Sequence, residues 1–292
     1  MQPFVQIKDL EKKIDEFHLG PIDLSLEPGT ITALVGNNGS GKSTLLKLIM
    51  NLATPDKGNI EVFDAFVYGH DESWKSKVSY QPQTVIGWDA YNGKTLRDLI
   101  SPLYPNWDDA LFDKMVKLFD IPLNKRFGKL SQGVQQKLNL ALTISRNTPI
   151  LLLDEPTSFM DIPSKKHLMD ILVDWMDQGE HAIIMASHQS ADMMKLVDYL
   201  SVIKSGEMIG IFEKEALTES FKRYWVVSSL PKAHIPGEVS RENQQILSNQ
   251  PEATENYFLE NNLEWANRTA LDLEEIITLL LQRKHGDGSF AS

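Results

Sequence analysis

Eight consecutive residues, Gly36-Asn37-Asn38-Gly39-Ser40-Gly41-Lys42-Ser43, satisfy the spacing G-x-x-x-x-G-K-[ST] at every fixed position. That spacing suits phosphate. Glycines let successive backbone N–H groups turn inward, a lysine ammonium reaches the β- and γ-phosphates, and a serine hydroxyl offers a hard oxygen to Mg2+. The pattern predicts a nucleoside triphosphate site built from Gly36, Asn37, Asn38, Gly39, Ser40, Gly41, Lys42, Ser43 and the adjoining Thr44. A second group of chemical residues closes the apolar run Ile150-Leu151-Leu152-Leu153 with Asp154-Glu155. Two carboxylates at the tip of a buried strand need a cation or hydrogen-bond donors close by. Beside a phosphate loop, the first acid supports Mg2+ and the second orients or deprotonates the attacking water, so Asp154 and Ser43 are the metal candidates and Glu155 the catalytic base. The competing reading is an acidic pair that caps the following helix.

These residues need a particular scaffold. Ile31 to Val35 reads as a buried strand, and Leu45, Leu46, Leu48 and Ile49 give helical spacing behind the loop, so strand, glycine loop and helix stand in the required order. Residues 4–8 and 22–27 alternate apolar and polar, predicting an antiparallel flap that turns at Pro28-Gly29 into the core. Short strands are expected at 59–63 and 78–80. From Lys94 to Phe127 the pattern is helical, with Leu111, Phe112, Met115, Val116, Leu118 and Phe119 on one face. Apolar runs at 150–153, 182–186 and 199–204, separated by helical stretches, predict parallel strands with crossover helices, and Ser205-Gly206 a hairpin into 208–212. The fold class is α/β: a P-loop NTPase core over residues 1–215, with an antiparallel β subdomain and a helical insertion at about 90–146. Residues 216–292 read as a small α/β accessory domain in which Trp225-Val226-Val227 and Leu271 to Leu281 pack, ending in a helix and a loose tail from His285.

Composition narrows the partners. The 292 residues carry 29 basic and 40 acidic side chains for a formal charge of −11, with no basic block to follow a phosphodiester backbone, so no nucleic-acid partner is expected. Without cysteine there are no disulfides and no thiolate metal sites. Neither a signal-like segment at Met1-Gln2-Pro3-Phe4 nor an apolar stretch of membrane-spanning length is present, which predicts a cytoplasmic protein held at a membrane, if at all, by another chain.

Four further segments follow the loop in order: Tyr80-Gln81-Pro82-Gln83, Leu130-Ser131-Gln132-Gly133-Val134, Pro156-Thr157-Ser158-Phe159-Met160-Asp161 directly after the acids, and Ala186-Ser187-His188 at a strand end. Together they resemble the ATP-binding subunits of ABC transporters over roughly residues 4–215. The resemblance implies ATP and Mg2+ as ligands. It makes Gln83 a contact to Mg2+ and the attacking water, and His188 the switch that senses the γ-phosphate. Ser131 and Gly133 belong to a signature that binds the nucleotide of a second subunit, and Asp161 lies in a loop lining the interface between two subunits. It further implies a homodimer or a heterodimer with another ATPase subunit, attached to separate permease subunits at the inner face of the cell membrane. Those permeases would dock near Gln83 and the helical insertion, with Trp88 and Tyr91 as apolar anchors or as internal packing.

The chain departs from the family pattern in two places. Gln132 replaces the first signature glycine and Val134 its glutamine, which leaves room for a weaker or asymmetric composite site, and Ile14 stands where the family stacks an aromatic on adenine, leaving nearby Phe17 as the adenine candidate or as core. The variant signature, with Gln135-Gln136-Lys137 and Tyr104-Pro105-Asn106-Trp107-Asp108, resembles a Gram-positive subgroup linked to acetoin utilisation or antibiotic response. Two other classes stay open: a soluble ATPase switch on the same fold, and a regulatory half of a heterodimer.

Overall fold

The computed structural model describes residues 2–187 and 194–282. They divide into two compact units, Met1–Ile211 and Phe212–Ser292. The first unit opens with a long hairpin, β1 (Val5–Ile14) and β2 (Phe17–Leu26), paired in antiparallel register from Val5↔Leu26 to Ile14↔Phe17. β4 (Lys57–Val62) joins the other edge of β1 and is followed by the two-residue β5 (Ala65–Phe66), giving the order β2-β1-β4-β5. The flap expected at 4–8 and 22–27 is present, and its strands run further than the alternation alone indicated.

The central sheet has the order β10-β9-β3-β8-β7-β6. Its members are β3 (Ile31–Val35), β6 (Val78–Gln81), β7 (Ile150–Asp154), β8 (Ala182–Ser187), β9 (Tyr199–Lys204) and the hairpin-linked β10 (Glu207–Glu213). β3, β6, β7 and β8 are buried along their whole length, as strands covered on both faces must be; this explains the apolar runs of β3, β7 and β8, whereas β6 buries the polar Ser79 and Gln81 as well. Four aliphatic side chains in β7, at about 1.5–3 kcal/mol each, hold that strand in place firmly enough to carry a carboxylate at its tip. Parallel pairing sets Val35 beside Ser187, Asp154 beside Ala186, and Gln81 beside Leu153. The carboxyl ends of β3, β6, β7 and β8 therefore converge, and in open α/β sheets ligands bind at such ends.

Five helices belong to this unit among the described residues: α1 (Lys42–Ile49), α2 (Gly93–Ile100), α3 (Asp109–Leu118), α4 (Gln132–Ile144) and α5 (Ile162–Met176). The helical insertion is shorter in helix than the periodicity of 94–127 suggested. Asp120 adopts φ 52° and α3 stops at Leu118, so residues 120–126 cross to α4 as loop. Asn92, Asp108, Ser131 and Asp161 each accept a backbone N–H at the start of α2, α3, α4 and α5.

The second unit carries α6 (Lys214–Ser220), β11 (Lys222–Val226), β12 (Glu238–Glu242), β13 (Gln245–Ser248), α7 (Pro251–Glu260), β14 (Trp265–Ala270) and α8 (Leu273–Gln282). Its sheet is antiparallel, in the order β12-β13-β11-β14. Tyr224, Val226, Ile235, Ile246 and Phe258 form the core, with Tyr224 edge-on to Phe258 at 5.5 Å. Val226 packs as expected, whereas Val227 is exposed just past the strand. The tail expected from His285 lies outside the described residues.

Candidate nucleotide site

The loop between β3 and α1 turns on two left-handed glycines, Gly39 at φ 78° and Gly41 at φ 109°. Gly41 is the N-cap of α1 and is hemmed in: a Cβ there would meet Leu19 Cδ1 at 2.6 Å and Phe17 Cζ at 3.1 Å. Its left-handed conformation favours glycine, and a methyl group there would have to displace the Leu19 side chain. The same contact sets the Phe17 ring against the phosphate loop, although Phe17 and Ile14 both sit at the β1–β2 turn. Within the loop Ser40 N–H bonds to the Asn37 carbonyl at 3.1 Å, while the buried Ser40 hydroxyl has no partner. Thr44 follows in the first turn of α1, and Asn38 is exposed at the loop tip.

Lys42 is 6% exposed, and its Nζ donates to the Gly36 carbonyl at 2.7 Å and the Asn37 carbonyl at 3.1 Å. Burial holds its ammonium below the usual lysine range, while the Glu155 and Asp154 charges pull the other way. Ser43 Oγ donates to Asp154 Oδ1 at 2.9 Å. Asp154 is 2% exposed. Burial pushes its carboxyl above the usual range, the Ser43 hydrogen bond opposes that, and repulsion from Glu155 adds to it. One hydroxyl and one carboxylate, both hard oxygens at an electropositive helix start, fit Mg2+. Among the described residues no cluster of three His, Cys, Asp or Glu could hold a metal unaided, so a cation here needs phosphate or water oxygens to complete its shell.

Glu155 is 7% exposed and stands in the left-handed region at φ 50°. A non-glycine residue there costs on the order of 1–3 kcal/mol and persists only where its surroundings fix it. They do so here: Glu155 N–H donates to the Ala186 carbonyl at 3.0 Å, and the Glu155 carbonyl accepts from Ser158 N–H at 3.1 Å and from Gln136 Nε2 at 3.2 Å. Gln136 also donates to the Pro156 carbonyl at 3.1 Å, and Gln81 Nε2 donates to the Asp154 carbonyl at 3.3 Å. Three successive carbonyls of the acid tip are thus held by two buried amides.

Neither Gln81 nor Gln136 stands out in the sequence as a site residue. The signal was available: Gln136 lies four and seven residues before the buried Leu140 and Thr143, so a polar side chain falls on the buried stripe of α4. Gln83, by contrast, is exposed, and lines a small cavity of about 90 Å3 with Gln132, Gln135, Gln136, Asn139 and Phe159. No hydrogen bond among the described residues joins Gln83 to Ser43 or Asp154. A larger cavity of about 440 Å3 lies at the opposite end of β3, against Thr30 and Thr32, away from this chemistry.

Ser131 caps α4 with an exposed side chain, its Oγ accepting from Val134 N–H at 3.4 Å. Gly133 lies flat against the loop after the acids, where a Cβ would come within 2.6 Å of the Phe159 carbonyl oxygen. Asp161 caps α5 through Ser164 N–H at 2.8 Å and pairs with Lys137 at 3.0 Å. Trp88 packs edge-on against Phe127 at 5.5 Å, the internal reading, whereas Tyr91 is 45% exposed and Ile86 is 89% exposed beside it. His188 lies outside the described residues; the strand leading to it ends at Ser187, beside Val35.

Comparison with known proteins gives one consistent outcome. The family model described as ABC transporter matches residues 19–158. The manganese transport system ATP-binding protein MntA of Synechocystis sp. is 30% identical over 215 residues, covering 68% of this chain and 81% of that protein. The ABC transporter ATP-binding protein YtrB of Bacillus subtilis is 28% identical over 218 residues, 74% of each chain. An ATP-binding subunit of an ABC transporter superposes with TM-score 0.67 at 20% identity, over 74% of this chain and 92% of its own. A dimeric ATP-binding cassette bound to ADP and Pi superposes with TM-score 0.62 at 21% identity, over 72% of this chain and 98% of its own.

Proposed function

This chain belongs to the ATP-binding proteins of ABC transporters, and from that premise we propose that it hydrolyses Mg-ATP in a head-to-tail dimer and drives separate permease subunits. The observation that carries the reading is the meeting of the two sequence-distant halves of the site, Ser43 on the phosphate loop and Asp154 on the acid strand, at 2.9 Å. Mg2+, held by these two residues together with phosphate oxygens, would neutralise charge on the β- and γ-phosphates.

The residues then divide the work. The loop from Gly36 to Ser43 and Thr44 grips the phosphates, and Lys42 turns from its own loop carbonyls towards them. Phe17, beside Gly41, stacks on the base. Glu155 takes a proton from the water that attacks the γ-phosphorus as the bond to the ADP oxygen breaks; the products are ADP and phosphate. Gln83 and His188 complete the contacts to Mg2+, water and the γ-phosphate.

Ser131 and Gly133 cap the partner subunit's nucleotide, with Asp161 at the dimer interface. Loss of the γ-phosphate removes those bridging contacts and opens the dimer, and this cycle moves the permeases. No helix among the described residues is long and apolar enough to cross a membrane, which fits a division of labour with separate permeases at the inner face of the cell membrane. The exposed Ile86 and Tyr91 supply their docking face. The accessory residues 216–292 extend or regulate the dimer.

Phosphate release from ATP by the purified chain with Mg2+, compared with the same chain in EDTA, tests the reading. Turnover that requires Mg2+ supports it; no turnover with Mg2+, either alone or with co-purified membrane subunits, overturns it.

A further inference from the structure

The motif that follows the signature serine, Gln135-Gln136-Lys137, has no part in the reading above, and its central residue is the most deeply placed. Gln136 is 5% exposed in the second turn of α4. Its Nε2 has two acceptors, the carbonyls of Glu155 at 3.2 Å and Pro156 at 3.1 Å. Both neighbours are carbonyl oxygens, so the amide nitrogen has to face them. The residue it grips is the one held in a left-handed conformation, Glu155 at φ 50°. A side-chain amide thus supplies part of what keeps a strained backbone, and with it the direction of a carboxylate, in place.

The helix that carries Gln136 begins at Ser131, five residues earlier, which is about 7.5 Å along the axis. Its neighbours on the same helix reach other parts of the site: Asn139 Nδ2 donates to the Pro82 carbonyl at 3.2 Å in the segment leading to Gln83, and Lys137 pairs with Asp161. A shift of α4 therefore moves the Glu155 backbone directly. We propose that Gln136 is a positioning residue for Glu155, which holds the carboxylate where it can take the proton of the attacking water and makes its placement depend on the position of the signature helix. The inference rests on the ATPase reading of the site.

The test uses the full chain and compares Gln136→Met, Gln136→Glu and, as a control for α4 itself, Thr143→Val, which alters a buried hydroxyl without a partner on the same helix. Gln136→Met keeps length and removes the donor. It is expected to lower kcat for ATP at least tenfold with KM changed less than threefold, because among the described residues no hydrogen bond joins Gln136 to Lys42 or the phosphate loop. Gln136→Glu faces the two carbonyls with a carboxylate when ionised and with an O–H donor when protonated. Its kcat relative to wild type is therefore expected to recover as pH falls from 8 to 6, a change that generalised loosening of α4 would not produce.

Thr143→Val is expected to keep wild-type kcat. Unchanged kcat in Gln136→Met, or losses in both Gln136 variants that track melting temperature and show no pH recovery, would overturn the proposal while leaving the ATPase reading intact. If Gln136→Met does not fold, the pH profile of Gln136→Glu decides alone. A wild-type chain without turnover would overturn both.

Discussion

Ser43 Oγ donates to Asp154 Oδ1 across 2.9 Å, joining the start of α1 to the tip of β7 over 111 residues of sequence. That bond partly offsets the cost of burying Asp154, whose carboxyl is pushed above its ordinary 3.8 mainly by burial. The folded chain therefore holds this proton to higher pH than the unfolded chain does. Its contribution to stability falls as pH rises from the ordinary value through the raised one, and stays low above it. Asp154→Asn, in the absence of nucleotide and Mg2+, should raise the melting temperature at pH 7 by a few degrees, the scale on which about 1 kcal/mol registers, and the gap should close near pH 4. Ser43→Ala should lower the melting temperature at pH 7. A gap for Asp154→Asn that is constant from pH 4 to 8 would refute the assignment.

Glu155→Gln keeps the volume of the side chain and removes the base. ATP turnover should fall at least about 100-fold, with nucleotide affinity retained. The same variant should pass from monomer to dimer on addition of Mg-ATP, read as solution mass. If the mass stays that of a monomer while ATP binds, Gln132 and Val134 have spoiled self-pairing and a different ATPase subunit is the partner.

Much of this site was legible because it lies in contiguous segments. Gly36 to Ser43 and Asp154-Glu155 each follow a buried apolar strand directly, so covalent order puts each segment at a strand end, and the parallel strand order then brings the two together. The burial of Gln136 was legible from its place on the apolar stripe of α4, but the roles of Gln81 and Gln136 were not, because each acts through a backbone carbonyl, and no pattern of side chains records which carbonyl a buried amide will find. Gln83 carried a strong motif, yet it lies exposed by the small cavity with Gln132, because a loop residue is placed by packing rather than by order. Trp88 showed the same limit: its sequence context left anchor and internal packing equally open, and its ring packs against Phe127.

Phe17 and Gly41 touch across the phosphate loop, and the two sides of that contact separate experimentally. Phe17→Ala should weaken ATP by about 5- to 150-fold, in line with about 1–3 kcal/mol for stacking on a base, and should leave inorganic tripolyphosphate unaffected. Isothermal titration with both ligands checks it; equal losses for the two would make Phe17 a packing residue of the loop. Gly41→Ala should weaken both ligands, since φ 109° strains any residue with a Cβ and a methyl group would displace Leu19 beside the loop.

Tyr104 and Arg146 explain the segment Tyr104-Pro105-Asn106-Trp107-Asp108, which has no role in the nucleotide chemistry. Arg146 follows α4, and burial pulls its guanidinium below the usual arginine range, with Tyr104 opposing that shift. The guanidinium lies over the Tyr104 ring at 4.9 Å, and Nη1 donates to the Tyr104 hydroxyl at 3.2 Å. Asp108 N–H bonds to the Ser145 carbonyl at 2.8 Å, so the segment clamps the start of α3 to the end of α4. A half-buried cation with a phenol in place of a carboxylate depends on both the ring and the hydroxyl. Tyr104→Phe keeps the ring and should cost about 0.5–1.5 kcal/mol in urea unfolding. Tyr104→Ala removes the cation–π contact as well and should cost more by about 1 kcal/mol. Both variants should bind ATP as wild type does, since the clamp lies at the far end of α4 from Ser131. Loss of nucleotide affinity without loss of stability would show that the clamp reaches the site directly.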